Sequence, residues 1–92
     1  EQVSLAKLNA LFKTFALDEE QLLIATPSDR WGAQVDLVTT KKQFAALEPL
    51  IAQYQNQVLP FEKIQNIYFI EDLPRTELGK IKTKEVLKQI GF

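Results

Sequence analysis

The strongest strand signal in this sequence lies in Ile64-Gln65-Asn66-Ile67-Tyr68-Phe69-Ile70, where β-branched and aromatic residues cluster. Leu73-Pro74 ends the predicted strand, because proline cannot donate to a strand ladder. A polar loop through Gly79 follows. Thr83 is then predicted to cap a last short helix, with Gly91 as the glycine just beyond its end. The last part of the chain is therefore predicted as strand, loop and helix.

Two shorter strands are predicted upstream. The apolar run at residues 22–25 is typical of a strand, and Pro27-Ser28-Asp29 is expected to close it with a turn. Val35, Leu37 and Thr39 alternate with Asp36 and Val38, which predicts a second strand reached through the Trp31-Gly32 corner. The two strands are close enough in sequence to be neighbours in one sheet.

Two helices complete the pattern. Apolar residues recur at helical spacing over residues 5–15 and again over residues 44–58, with Pro60 at or just beyond the second helix end. The predicted order is helix, two strands, helix, strand, loop and helix. This order predicts an α+β fold in which a small sheet of about three short strands packs with about three helices. Residues 1–92 are predicted to form a single domain.

The composition excludes several kinds of site. Hydrophobic residues make up 46% and charged residues 25% of the 92 residues, which is typical of a small globular domain. The absence of cysteine excludes disulfides and thiolate metal ligands, and suits a cytoplasmic location. Histidine is absent too, which removes the commonest general base and zinc ligand. We therefore predict no metal site and no Ser-His-Asp or Cys-His catalysis.

The sequence also lacks methionine, and Glu1 follows none of the patterns of a processed secretory end. We therefore predict that the chain is a piece of a longer protein. No apolar run approaches the roughly 20 residues that a membrane-spanning helix needs, so no membrane partner is expected.

The charges are unevenly distributed although they nearly cancel. The net charge of −1 gives no general attraction to nucleic acid. The acidic run Asp18-Glu19-Glu20 is predicted to be a solvated helix-capping turn. Residues 75–92, in contrast, carry five basic and two acidic side chains: Arg75, Lys80, Lys82, Lys84 and Lys88 against Glu77 and Glu85. This segment is where we expect the chain to contact an anion.

The loop over residues 73–82 carries glycine immediately before lysine. Gly79 permits a positive φ angle, and Lys80 offers a compact ammonium suited to a phosphate or carboxylate. A phosphate-binding P-loop is excluded, because it requires glycine where Pro74 stands and serine or threonine where Ile81 stands. From the residues alone, a solvated basic turn without function and a nucleic-acid contact stay open, although the tail lacks aromatics for base stacking.

The segment Asp72-Leu73-Pro74-Arg75-Thr76-Glu77-Leu78-Gly79-Lys80-Ile81 resembles the last signature of the adenylate-forming superfamily, roughly Leu-Pro-Arg/Lys-Thr-x-x-Gly-Lys-Ile. This superfamily comprises acyl- and aryl-CoA synthetases, peptide-synthetase adenylation domains and luciferases. Residues 24–32 resemble its strand followed by Pro-Asp-x-x-Trp-Gly. Residues 1–3 match the end of its hinge-following motif, and the strand at 67–70 stands where the family has one. The resemblance therefore covers essentially the whole chain in the right order.

The resemblance implies a mobile C-terminal lid domain that closes over an N-terminal domain of the same parent chain, which binds a carboxylic acid, ATP and its Mg²⁺. It implies that Lys80 is the catalytic residue of acyl-adenylate formation, beside Gly79 and the supporting loop residues Arg75 and Thr76. The lid then rotates for thioester formation with CoA or a carrier-protein phosphopantetheine, near Trp31-Gly32. The fragment alone is not expected to be active, and no nucleic-acid partner is expected.

The sequence departs from the family pattern in two places. Thr83 stands where the family often has arginine, and Phe61-Glu62 where it often has a Tyr-Lys pair. The compact segment between strand and second helix resembles short bacterial aryl-CoA ligases such as o-succinylbenzoate–CoA ligase, which implies menaquinone biosynthesis. Two alternatives stay open: Trp31 can be an ordinary core residue, and the chain can be a non-catalytic module whose basic C-terminal loop binds an anion, nucleic acid or protein.

Overall fold

The computed structural model describes residues 4–15, 20–40 and 44–92, except for the side chains of Phe44 and Ala46. The predictions for residues 1–3 and for Asp18-Glu19 lie outside these described residues. The elements follow the predicted order, with a short 3₁₀ turn added at Pro60–Glu62: α1 (Leu5–Phe15), β1 (Gln21–Ser28), β2 (Gly32–Thr39), α2 (Phe44–Gln55), β3 (Ile64–Phe69) and α3 (Thr83–Gln89). The predicted α+β fold is confirmed.

The strands form one mixed sheet in the order β1-β2-β3. β1 and β2 are an antiparallel hairpin with Gln21 opposite Thr39, and β3 runs parallel to β2 with Phe69 beside Thr39. One end of the sheet therefore joins Gln21, Thr39, Phe69 and the loop after β3; we call it the Lys80 end. The opposite end carries Ser28 and Gly32, and we call it the Trp31 end. Since β2 has eight residues, the ends are about 23 Å apart at roughly 3.3 Å per step.

Helices cover both faces of this sheet. On one face α1 and α2 pack against β1 and β2, forming a core of Leu8, Phe12, Leu23, Val35, Leu37 and Tyr54. Phe12 and Tyr54 meet edge to face with ring centroids 5.7 Å apart. On the other face α3 and the start of the loop contribute Val86 and Leu73 to a second core with Ile24 and Val38. The loop after β3 is therefore fixed at its base by a buried leucine.

The central strand is buried on both of its faces. All residues from Val35 to Thr39 are buried, including the polar Asp36 and Thr39. Asp36 is fully buried, and it accepts hydrogen bonds from the Thr26 hydroxyl at 2.7 Å and from Gln34 Nε2 at 3.0 Å. Its carboxylate is thus satisfied by neutral donors, which is why a charged residue is tolerated in this strand.

Side-chain bonds hold the end of α2 against the start of β3. The Gln55 side chain accepts from the Ile64 N–H at 2.9 Å and donates to the Ile64 carbonyl at 3.3 Å. The Tyr54 hydroxyl donates to the Glu62 carbonyl at 2.6 Å. Burial, and secondarily the Glu62 carboxylate, raise the pKa of Tyr54 above its usual range, so this hydroxyl keeps its proton.

Several strand and helix boundaries differ from the prediction. β1 begins at Gln21 rather than at residue 22, and β2 begins at Gly32 rather than at residue 35. β1 continues through Pro27 to Ser28, because β1 is an edge strand and the edge-facing N–H that proline lacks is not needed there. α2 ends at Gln55 rather than at residue 58, and Pro60 begins the 3₁₀ turn. β3 ends at Phe69, one residue before the predicted end.

Of the two predictions for the ends of α3, the one for its start is wrong and the one for its end is confirmed. Thr83 is its first helical residue, and the residue before it, Lys82, makes no side-chain capping bond, so the predicted threonine cap is wrong. Gly91 is confirmed as the residue beyond the end, with a φ of 98°. Its turn is closed by a bond from the Phe92 N–H to the Leu87 carbonyl at 2.8 Å, as in a Schellman motif. No helix within the described ranges combines the length and apolarity required to cross a bilayer.

Candidate functional site

Residues 74–82, which we call the Lys80 loop, form a small hairpin of their own. The Thr76 N–H donates to the Lys80 carbonyl at 2.7 Å, and the Lys82 N–H donates to the Pro74 carbonyl at 2.8 Å. A bond of 2.9 Å from the Gly79 N–H to the Thr76 carbonyl closes the tip. Three main-chain bonds within nine residues make this an ordered loop rather than an unstructured basic tail.

Gly79 is required by the shape of the tip. Its φ of 88° lies in the region that residues with a Cβ rarely adopt. A Cβ built at this position meets no atom within 4 Å, so the constraint is the backbone conformation and not crowding. The pattern is that of a three-residue hairpin loop whose glycine lets the chain re-enter the ladder. Gly79 thereby directs the residue that follows it, Lys80, back along the hairpin.

Two neighbouring side chains fix the backbone on either side of Lys80. The Thr76 hydroxyl accepts from the Lys80 N–H at 3.2 Å, and Arg75 Nη1 donates to the Gly79 carbonyl at 3.3 Å. The structure therefore brings together Arg75, Thr76, Gly79 and Lys80, as the sequence analysis predicted.

The Lys80 side chain itself is exposed, and within the described residues its ammonium has no hydrogen bond or ion pair. The loop that carries Lys80 is anchored to the second core by Ile81, which is half-buried, and by Leu73, which is buried. A free point charge on a fixed hairpin can meet an incoming anion without first breaking another contact.

A cavity of about 340 Å³ lies beside this loop. α1, the first residues of β1, the Lys80 loop and the first residue of α3 all contribute to its lining. Its described lining is Asn9, Lys13, Gln21, Leu22, Arg75, Gly79, Lys80, Ile81 and Thr83. Three of these side chains are cationic, and none of these described lining residues is acidic. The cavity therefore has a positive potential.

Asn9 and Gln21 are part of this site although the sequence analysis did not single them out. Asn9 Nδ2 donates to the Leu23 carbonyl at 3.1 Å and its Oδ1 accepts from the Leu23 N–H at 2.9 Å, which ties α1 to the free edge of β1. Gln21 is only 8% exposed, and neither polar atom of its amide has a hydrogen-bond partner among residues 4–15, 20–40 and 44–92. The sequence signal was weak: Asn9 is a polar residue within the amphipathic helix, and Gln21 directly precedes the apolar run at residues 22–25.

Trp31 and Gly32 lie at the other end of the sheet. Gly32 is exposed with a φ of 82°, and Trp31 is half-buried and belongs to neither core cluster. The Arg30 guanidinium lies 5.0 Å from the centroid of the indole. The structure therefore places Trp31 at the surface, beside a cation, and does not bring it together with Lys80.

The carboxylates of the described residues are dispersed rather than grouped. Among the described residues, no three or more His, Cys, Asp or Glu side chains are grouped closely enough to hold a metal ion. The buried Asp36 carboxylate already accepts bonds from protein donors. A Mg²⁺ ion that accompanies a nucleotide therefore has no all-protein site among these residues.

Comparison with curated proteins finds CoA ligases. The chain is 28% identical over 91 residues to 4-coumarate–CoA ligase-like 6 of Arabidopsis thaliana, covering 97% of this chain. It is 26% identical over 92 residues to the mitochondrial malonate–CoA ligase of Bos taurus, covering 86% of this chain. It spans 16% of the length of each. No family model matches the sequence.

Solved structures show the same fold. An AMP-forming acyl-CoA synthetase-like protein of Dyadobacter fermentans superposes with a TM-score of 0.78 at 19% identity, over 97% of this chain and 27% of that one. ATP-bound MatB of Rhodopseudomonas palustris gives 0.66 at 20% identity, over 96% of this chain and 18% of that one. The predicted resemblance is confirmed: the chain is similar to AMP-forming acyl-CoA synthetases and has the fold of their C-terminal domain.

Proposed function

We propose that residues 1–92 are the C-terminal lid domain of an ATP-dependent, AMP-forming acid–CoA ligase, and that Lys80 is its catalytic residue. The observation that carries the proposal is the Lys80 loop, in which a signature Gly-Lys pair is folded into a rigid hairpin with a free ammonium. An N-terminal domain of the same parent chain would bind the substrates. The relatives support this arrangement, since the chain corresponds to 16% of their length.

The chemistry follows from the charges. In adenylation a carboxylate oxygen attacks the α-phosphorus of ATP, and the bond to the bridging oxygen of the β-phosphate breaks, which releases pyrophosphate. Two anions repel each other along this path, while negative charge builds up around the α-phosphorus. Lys80 supplies a preorganised cation at that point, and such a partner typically lowers the barrier more than any other single contact.

The substrates are proposed from the names of the similar proteins. ATP is supported by the ATP-bound neighbour, and CoA by the two CoA ligases; a carrier-bound phosphopantetheine would serve the same chemistry. The Mg²⁺ that accompanies ATP would be held mainly by the N-terminal domain, since the described residues offer no group of ligands for it. o-Succinylbenzoate as the acid, with a role in menaquinone biosynthesis, and a cytoplasmic location remain proposals.

The second half-reaction would use a different part of the lid. Thioester formation needs room for a thiol to attack the acyl-adenylate, so the Lys80 end must withdraw. A rotation of the lid would present the Trp31 end, with Trp31 and Gly32, to the incoming thiol. The separation of about 23 Å between the two ends supports a rotation rather than a small shift.

ATP–pyrophosphate exchange on the parent ligase, with a panel of aliphatic and aromatic acids, tests the proposal. Lys80→Ala should lower exchange by about 10²–10³ with every acid that the wild type uses. Lys84→Ala is the matched control, since it removes an exposed cation four residues away that does not line the cavity. Unchanged exchange in Lys80→Ala would favour the non-catalytic binding module instead.

A further inference from the structure

We propose that the cavity between α1, the start of β1 and the Lys80 loop is a binding site for a phosphate-type oxyanion, either free pyrophosphate or the phosphate chain of a nucleotide. This goes beyond the proposed function, because it gives the lid an anion site of its own, with contributions from Lys13 and Gln21. The site would exist in the 92-residue chain before any closure over another domain.

The positive charge of the cavity lining favours the binding of an anion. The lining includes Lys13 from α1, and Arg75 and Lys80 from the Lys80 loop. Within the described part of the chain, the Lys13 and Lys80 ammonium groups have no hydrogen bond or ion pair, and no acidic side chain lines the space between them. Cations that line one cavity repel each other, and an anion bound among them offsets this repulsion by its attraction to each of them.

Gln21 gives independent support for a ligand. The residue is more than nine-tenths buried at the lining of the same cavity, and its Nε2 and Oε1 atoms have no hydrogen-bond partner in the part of the chain that the structure describes. Buried amides in proteins are almost always hydrogen-bonded, so an amide left without partners needs an explanation. In the bound state a rotation of the amide would let Nε2 donate to a phosphate oxygen.

The rest of the wall is already built. Asn9 uses its amide to hold α1 against Leu23, so the width of the cavity is set by protein contacts and not by the ligand. The half-buried side chains of Leu22 and Ile81 supply an apolar wall, and the exposed Thr83 adds a hydroxyl at the mouth. The volume of about 340 Å³ is within the range of small-ligand sites.

Titration of the ¹⁵N-labelled chain, followed by NMR at low salt, tests this directly. Sodium pyrophosphate, ATP and AMP are the probes, and the side-chain NH₂ resonances of Gln21 are the readout. We expect saturable shifts of these resonances, with affinity falling as NaCl is added. Tightest binding of pyrophosphate would identify the free anion, and tighter binding of ATP would identify the phosphate chain of a nucleotide. Unmoved Gln21 resonances with all three probes would overturn the proposal.

Variants separate the cavity from general surface charge. Lys13→Gln and Gln21→Leu should each weaken binding of the better probe by about tenfold, the loss typical of one charge-assisted hydrogen bond. Lys7→Gln makes the same charge change on the same helix outside the cavity, and should leave the affinity unchanged. Equal weakening by Lys7→Gln and Lys13→Gln would contradict a defined site. Since no turnover is measured, failure here leaves the exchange test of Lys80 intact.

Discussion

The two ends of the sheet have similar turns, but the cations beside these turns differ in their contacts. Each carries a turn whose glycine has a positive φ, 88° at Gly79 and 82° at Gly32, and each carries a cation next to that turn. At the Trp31 end the Arg30 guanidinium already lies over an indole. At the Lys80 end the ammonium is free within the described residues and faces a cavity. The candidate catalytic end is therefore distinguished by a cation that can contact a ligand, and not by the shape of its turn.

The distance between the two ends of the sheet limits how they can take part in one reaction. Sites about 23 Å apart on one rigid sheet cannot contact the same reacting atoms together. If both ends serve one reaction sequence, they must do so in turn. The fold therefore agrees with a lid that acts in two orientations, and the following changes test whether the two ends are functionally separate.

Replacing the glycines one at a time should have the largest effect on this comparison. An alanine at φ near 80–90° costs about 1–2 kcal/mol, so Gly79→Ala and Gly32→Ala should lower the free energy of unfolding similarly. Only Gly79→Ala should displace Lys80, with an expected loss of about tenfold in ATP–pyrophosphate exchange. Urea unfolding and exchange on the parent ligase measure the two effects. A similar loss of exchange in Gly32→Ala would show that the ends are not separate.

A change between the ends should affect stability alone. Tyr54→Phe removes the hydroxyl bond to the Glu62 carbonyl and should lower the free energy of unfolding by about 1 kcal/mol. Because the pKa of Tyr54 is raised in the folded chain, its hydroxyl contributes to stability below about pH 10, and this contribution falls as the pH rises beyond that value.

Unfolding curves from pH 8 to pH 11 check the sign of this effect. Wild type should lose stability toward the alkaline end more steeply than Tyr54→Phe, in which the titrating group is gone. Parallel profiles for the two chains would mean that Tyr54 titrates as it does in the unfolded state.

The smallest effect is expected at Arg30. The exposed Arg30–Trp31 contact is worth roughly 0.5–1 kcal/mol, so Arg30→Gln should lower the free energy of unfolding by no more than that. Exchange should stay within about twofold of wild type, as for most surface changes. A large loss of exchange in Arg30→Gln would place the Trp31 end in the adenylation step.

The sequence predicted the elements well because their periodicity is strong and local. The helix at residues 5–15 was predicted at both ends, and Gly79 and Gly91 were predicted from their positions beside a lysine and a helix end. The inclusion of Pro27 in β1 was not predicted. A strand tolerates proline at an edge of the sheet, and the strand order that makes β1 an edge strand is a property of the whole sheet.

The cavity could not be predicted for the same reason. Its walls come from α1, β1 and the Lys80 loop, and Asn9 bonds to a strand residue 14 positions away. The buried state of Asp36 likewise depends on Thr26 across the hairpin. The alternative that Trp31 is an ordinary core residue is wrong, because Trp31 is only half-buried and belongs to neither core cluster. Long-range contacts of this kind leave only a polar residue in an apolar run as their signal.

The proposal that the two ends of the sheet act in different half-reactions can be tested with a preformed acyl-adenylate and CoA as substrates. Thioester formation by the wild-type parent ligase is compared with that by Lys80→Ala. We predict that Lys80→Ala forms thioester at a rate within about twofold of wild type, although it should lose exchange from ATP and acid. The reason is that, in the proposed scheme, the Lys80 end would be withdrawn when the thiol attacks. Loss of thioester formation in parallel with exchange would contradict the assignment of the two ends of the sheet to different half-reactions.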